Sequence, residues 1–342
     1  METMSKNNII LLGVLALASV TPFSCVRIEG DGLLEDKRAI LYNIAPVKTL
    51  PHTKAITVFP TSDTFGSYAY IIPKGKTYDY NSNEGSIYID NAEISYNSSA
   101  GHWKCEGKMY SWPTDGSSLT FFSYAPYDLP GLSCSCGEGI RIDDFTVNTT
   151  LGNAESHTDI LIAVIAKDKT SNDGNGVPTI FQHKLSRVEI VATLNNELES
   201  GEYAYIKSLK LNNIYTSGDY IDGGWTNYSG RQNYQNTGMA QVDLTYGSQS
   251  VILPKTVMMP QPMTSASNAP SITIVYRTHN HSSEQTQTIP LYNGPATAAA
   301  WEPGKDITYH INISTKDEYI DFDGVPSEWM YQEGGDLDLG NK

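Results

Sequence analysis

The sequence predicts an all-β protein: two β-sandwich domains in tandem behind a secretory signal. Three observations carry that expectation. Apolar residues recur with a period of two wherever a period is clear, turn residues punctuate the chain at short intervals, and the composition is that of an extracellular β-protein. Tyr is abundant at 22 residues, charged residues make up only 18%, and the formal net charge is -15. A half-buried pleated strand selects such β-branched and aromatic residues. The acidic balance and the lack of a basic stripe exclude a nucleic-acid role.

The chain starts with Lys6, an apolar run from Ile9 to Ala18, then Ser19 to Ser24 and Cys25. A basic start, a short apolar core and small residues form a signal peptide over 1–24. The run is too short to span a membrane, which takes about 20 apolar residues. Cys25 at its end looks like the lipid-accepting cysteine of a bacterial lipoprotein, followed by a polar tether over 25–37.

The 342 residues allow two domains of about 150 each. We expect an N-terminal sandwich over 38–170 and a C-terminal one over 178–342, joined by the Lys-, Asp-, Asn- and Gly-rich stretch Lys167–Pro178. Ile307–Ser314 alternates apolar and polar throughout, as a half-buried strand does. Ser271–Arg277 and Val188–Leu194 read alike, and Leu119–Tyr124 is aromatic and β-branched. Asp159–Ala166 is continuously apolar, which predicts a strand covered on both faces. Asp115-Gly116, Pro130-Gly131, Asp173-Gly174-Asn175-Gly176, Asp222-Gly223 and Pro303-Gly304 supply the turns. One helical turn is expected near Thr297–Trp301.

No nucleophile elbow, phosphate loop, zinc-protease motif or dinucleotide fingerprint occurs, so no catalytic residue is assigned. No cofactor and no metal are assigned. Cys105, Cys134 and Cys136 lack zinc spacing and leave room for one bridge from Cys105 to either of the others. His279-Asn280-His281 reads as a solvated hairpin tip, Asp143-Asp144 as an ordinary acidic pair, and His183 as a hydrogen-bonded core histidine.

Several local patterns occur in a telling order. They are Thr120–Tyr127 (TFFSYAPY), Asp159–Ala163 (DILIA), Phe181–Val188 (FQHKLSRV), Met258–Gln261 before Ile272–Ile274, and Trp301–Lys305 before Tyr309–Ile311, with Trp329 beyond. Together they resemble the fimbrillins of Bacteroidetes, subunits of type V pili. The resemblance implies two transthyretin-like Greek-key sandwiches and a surface lipoprotein held at the outer membrane through a palmitate-bearing Cys25. It also implies assembly by donor-strand exchange: a trypsin-like cut removes the first strand, and a neighbouring subunit's strand fills the groove. Ala39–Val47 fits the removable strand, with Ile40, Leu41, Tyr42 and Ile44 as its apolar residues, and Ala55–Phe59 reads as the strand after it. Arg38 and Lys54 are the candidate cleavage sites among the basic residues nearby. At the other end, Leu337 and Leu339 alternate in a possible donor. The implied partners are other pilus subunits, the outer membrane, and a host protein or glycan. The alternative is a glycan-binding surface lipoprotein that stacks Trp103, Trp112, Trp225 or Tyr228 on sugar rings.

Overall fold

Among the described residues every named element is a β-strand, in keeping with the period of two. The computed structural model describes residues 38–44, 59–82, 84–148, 158–172, 175–235, 239–264, 268–291, 300–316 and 319–328. The signal, Cys25, Lys54, Ala55–Val58, Trp329 and the Leu337 to Leu339 segment lie outside them.

The first half carries β1 (Leu41–Asn43), β2 (Phe65–Ile72), β3 (Ser86–Asn97), β4 (His102–Cys105), β5 (Ser118–Ala125), β6 (Leu132–Ser135), β7 (Gly139–Thr146), β8 (Leu161–Ala163), β9 (Ala166–Lys169), β10 (Val177–Pro178) and β11 (Phe181–His183). Nine of them form one sheet in the order β10-β1-β4-β3-β2-β5-β8-β11, with β9 also on β5. That sheet curls, so that Tyr42 of β1 meets Phe65 of β2 and Phe121 of β5 across an aromatic interior.

The second half carries β12 (Ser186–Leu194), β13 (Ala204–Ile214), β14 (Ser217–Ile221), β15 (Gly224–Ser229), β16 (Gln232–Gln235), β17 (Val242–Asp243), β18 (Gln249–Met258), β19 (Gln261–Pro262), β20 (Ser271–Thr278), β21 (Gln285–Pro290), β22 (Ala300–Trp301), β23 (Lys305–Ser314) and β24 (Tyr319–Glu328). Sheet β18-β12-β23-β24 packs on sheet β16-β13-β20-β21 around Val188, Ile190, Leu209, Leu211, Ile272, Ile311 and their neighbours. Ala300 and Trp301, expected in a helical turn, are strand β22, paired with β19.

The periodicity readings hold. Ile307, Tyr309, Ile311 and Ile313 are buried on one face of β23 while Thr308, His310 and Asn312 sit half-buried on the other. In the apolar run, Leu161 and Ala163 face the aromatic interior, and Ile160 and Ile162 face a second layer. That layer is sheet β15-β14-β7-β6, which joins strands from both halves.

The expected boundary at 170 and 178 is not a break between sheets. The stretch 167–178 holds most of β9 and all of β10, β11 completes the first sheet by pairing with β8, and the β14–β15 hairpin pairs with β7. The described residues from 38 to 328 fall in one compact unit. A polar, Gly-rich stretch marks where the chain turns, not where a hydrogen-bonded sheet ends.

Candidate functional site: the groove around the N-terminal strand

β1 is a three-residue strand, too short to hold itself in place by ladder bonds alone. It is nevertheless an interior strand. It runs antiparallel to β4, with Leu41 opposite Lys104 and Tyr42 opposite Trp103, and parallel to β10, with Tyr42 opposite Val177. Flanking backbone bonds extend the grip: Ile40 N–H donates to Tyr110 O at 2.8 Å, Trp112 N–H to Arg38 O at 2.9 Å, and Thr179 N–H to Asn43 O at 2.8 Å.

Alternation sends Ile40 and Tyr42 inward, where they are 3% and 1% exposed. Their floor is Phe59, Phe65, Trp103, Phe121 and Phe181, with Phe65 and Phe121 edge-on to the Tyr42 ring at 5.7 and 5.8 Å. Ile44 packs on the same cluster from its rim. Leu41 points the other way and is half-buried.

Three polar devices interrupt this apolar trough. The Tyr42 hydroxyl donates to Ser67 Oγ at 3.1 Å, and Ser123 Oγ donates to the same atom at 3.0 Å. Beside Tyr42 lies the Cys105 thiol; burial pushes it up to about 11, an effect the Tyr42 hydroxyl opposes. Burial, then Cys105, raise Tyr42 itself well above its ordinary value. On the outer side, Asn172 Oδ1 accepts from Leu41 N–H at 3.1 Å and from Trp112 Nε1 at 3.1 Å, while Nδ2 donates to Ala39 O at 2.7 Å. Gly176, at φ +104°, lets this segment pass so close that a Cβ there would stand 2.9 Å from Leu41 O.

The sequence profile of the fimbrillin-like family matches residues 53–329, four-fifths of the chain. The chain belongs to the fimbrillin-like family. Among solved structures it is similar to a fimbrial protein from Bacteroides vulgatus ATCC 8482, with 18% identity over 78% of this chain and 92% of that one and a TM-score of 0.59; that likeness is one of fold. It is also similar to candidate cell adhesion proteins from Bacteroides uniformis ATCC 8492 (17% identity, 87% and 100% covered, TM-score 0.47) and Bacteroides ovatus ATCC 8483 (13%, 86% and 98%, TM-score 0.49). No curated protein matches it.

In this fimbrillin-like chain Ile40 and Tyr42 fill the groove with Ile44 at its rim, while Leu41 faces the opposite side of the strand. Arg38 is exposed just before the strand. A cut after Arg38 leaves 39–44 on the retained chain and so cannot by itself free β1; a cut beyond residue 44 can. The tryptophans proposed for sugar stacking are core residues: Trp103, Trp112 and Trp225 are 6%, 7% and 9% exposed, and Tyr228 packs on Tyr215 at 5.5 Å. Cys105, Cys134 and Cys136 are free thiols, Cys105 in the aromatic interior and the other two in the layer behind it, so no bridge forms. His183 is a core histidine, 1% exposed, with Nδ1 2.5 Å from Asp159 Oδ2. His279 and His281 sit at the β20–β21 hairpin tip, where His279 Nε2 lies 2.9 Å from Glu202. Asp143 pairs with Arg141 and does not face Asp144 across a cleft. Asn172 and Gly176 are the groove residues the sequence did not reveal, because their signal is only that of a turn.

Proposed function

We propose that this chain is a non-catalytic structural or adhesive subunit of a cell-surface fimbria, carried to the outer membrane as a lipoprotein through Cys25. It assembles by proteolysis-triggered donor-strand exchange, with β1 as the strand that leaves. The observation that supports this reading most is the position of β1: a short N-terminal strand inserted between two others, its buried side chains filling an aromatic trough. Each such side chain contributes about 1.5–3 kcal/mol by leaving water. Without β1, the groove exposes that apolar surface and the unpaired edges of β4 and β10, which a strand from another subunit can cover by β-augmentation.

The cut that starts this process falls after residue 44. Lys54 meets that condition, as does Lys48, whereas Arg38 does not. The test is to add catalytic amounts of trypsin to the purified protein and follow particle size by light scattering. Growth is expected for the native chain and for Arg38→Ala, and is expected to stop in the Lys48→Ala/Lys54→Ala chain. A trimmed chain that loses β1 and stays monomeric would overturn the proposal.

A further inference from the structure

A purely apolar strand would leave one hydrogen bond of the groove's serine pair unmade. Ser67 and Ser123 stand opposite each other on β2 and β5, 0% and 3% exposed, in the aromatic interior. Ser67 Oγ receives one hydrogen bond from Ser123 at 3.0 Å and one from the Tyr42 hydroxyl at 3.1 Å. Buried hydroxyls that lose a partner away from water bear the full desolvation cost. A long side chain with an apolar body and a polar tip is what reaches them from β1. Serine and threonine are too short, and a lysine or glutamate would carry charge into an apolar interior.

A second reader acts on the backbone. β10 pairs with β1 only at Tyr42 and Asn43, so the stretch 39–41 lacks a strand neighbour on that side. The Asn172 carboxamide takes that place, accepting from Leu41 N–H and donating to Ala39 O. Its own backbone is held by Gly176 N–H and Asn175 N–H, which donate to Asn172 O at 2.7 and 3.0 Å. Contacts to main-chain atoms two residues apart fix register without regard to side chains, and they exclude proline at the position of Leu41.

We infer that the groove selects its occupant: an incoming strand that places a tyrosine hydroxyl on Ser67, in the register set by Asn172, with a non-prolyl residue just before that tyrosine. The inference rests on the strand-exchange reading and names the chemistry of the partner strand. A site built around a hydroxyl discriminates against the analogue lacking it, because Ser67 Oγ then keeps only the bond from Ser123 and loses the second of its two donors.

The test offers peptides to the full chain carrying Ile40→Ala/Tyr42→Ala, whose own strand is weakened, and reads capture by native mass spectrometry. One peptide spans Lys37–Val47; two others carry Tyr42→Phe or Leu41→Pro. The tyrosine peptide is expected to be captured about tenfold more than the phenylalanine one, the factor for one lost buried hydrogen-bond partner. That preference should vanish in a chain that also carries Ser67→Ala, and Asn172→Ala should weaken capture of both. Equal capture, or capture of none, overturns the inference. If the weakened chain does not fold, the otherwise native chain with Tyr42→Phe, Ser67→Ala and both serves instead, read by the rate of Cys105 alkylation. Strongly non-additive effects support the inference, and additive ones overturn it. Peptide selection without particle growth after trimming would refute the fimbrial reading while leaving the selective groove standing; growth without selection would do the reverse.

Discussion

The two cores of this molecule are built on different principles. The second-half core is mainly aliphatic around a few buried rings such as Trp301 and Tyr309, and is tied together by long ladders: β12 and β23 pair in parallel from Arg187 with Asp306 to Leu194 with Ile313, and β23 pairs with β24 along its whole length. The first-half core is aromatic, and one of its walls is a strand of three residues. Its cohesion comes from large side chains such as Tyr42, Phe59, Phe65 and Trp103 in edge-on and stacked contact. A long ladder can be broken only with the core it encloses. A short strand anchored by a few large side chains can leave as a unit and be replaced by another that offers the same side chains.

That contrast can be broken or sharpened by substitution. The largest effect is expected for Trp301→Ala, which removes a 1% exposed side chain whose Nε1 donates to Tyr309 Oη at 2.9 Å. It should cost about 3–5 kcal/mol, seen as one cooperative loss of thermal stability. Tyr42→Ala removes a side chain of the same class, yet should open the first core locally, with Cys105 becoming alkylated while the β-rich circular dichroism persists. Equal global unfolding by both would erase the contrast. Gly176→Ala is next: at φ +104° and with a Cβ against Leu41 O, it should loosen β1 by about 1–3 kcal/mol, again read at Cys105.

A smaller change tests the second half alone. Asp306 is bonded by Arg187 Nε and Nη2, each at 2.6 Å, and by Lys255 at 3.3 Å, and its side chain is 10% exposed. Asp306→Ala should cost about 1–2 kcal/mol by urea denaturation, discounted for the partly exposed cations, and leave Cys105 protected. The smallest effect, about 1 kcal/mol by pH 9.5, is with pH. Cys105, whose ordinary value is 9.0, is pushed up to about 11 in the fold, so burial favours its neutral form. The stability it contributes is whole below pH 9 and lost as pH rises toward 11. The urea midpoint followed by tryptophan fluorescence should therefore be flat from pH 7 to 8 and fall above 9, with a shallower fall in Cys105→Ala.

Much of this was legible in the sequence because burial leaves a pattern. The alternation of Ile307–Ser314, the two-faced run at 159–163 and the apolar residues of 39–44 each announced their environment, and His183 between Phe181 and Leu185 read correctly as core. What stayed hidden depends on partners distant in sequence. Asp173-Gly174-Asn175-Gly176 shows that the chain turns, but not that Gly176 lies against Leu41. Trp103 and Trp225 looked available for sugars because a single aromatic carries no sign of which face it will take. The shared sheet of β7 and β14 was invisible, since every strand shows the same period and none names its neighbour.

Strand exchange requires that β1 leave its groove without the rest of the molecule unfolding. The direct test is Cys105 alkylation across a urea series, in a full chain with Cys25, Cys134 and Cys136 changed to Ser, set beside global unfolding followed by circular dichroism. Labelling is expected well below the global transition, with a urea dependence several-fold weaker than that of unfolding, because only a short strand is exposed. Labelling that follows the global transition, with the same midpoint and slope, would contradict it.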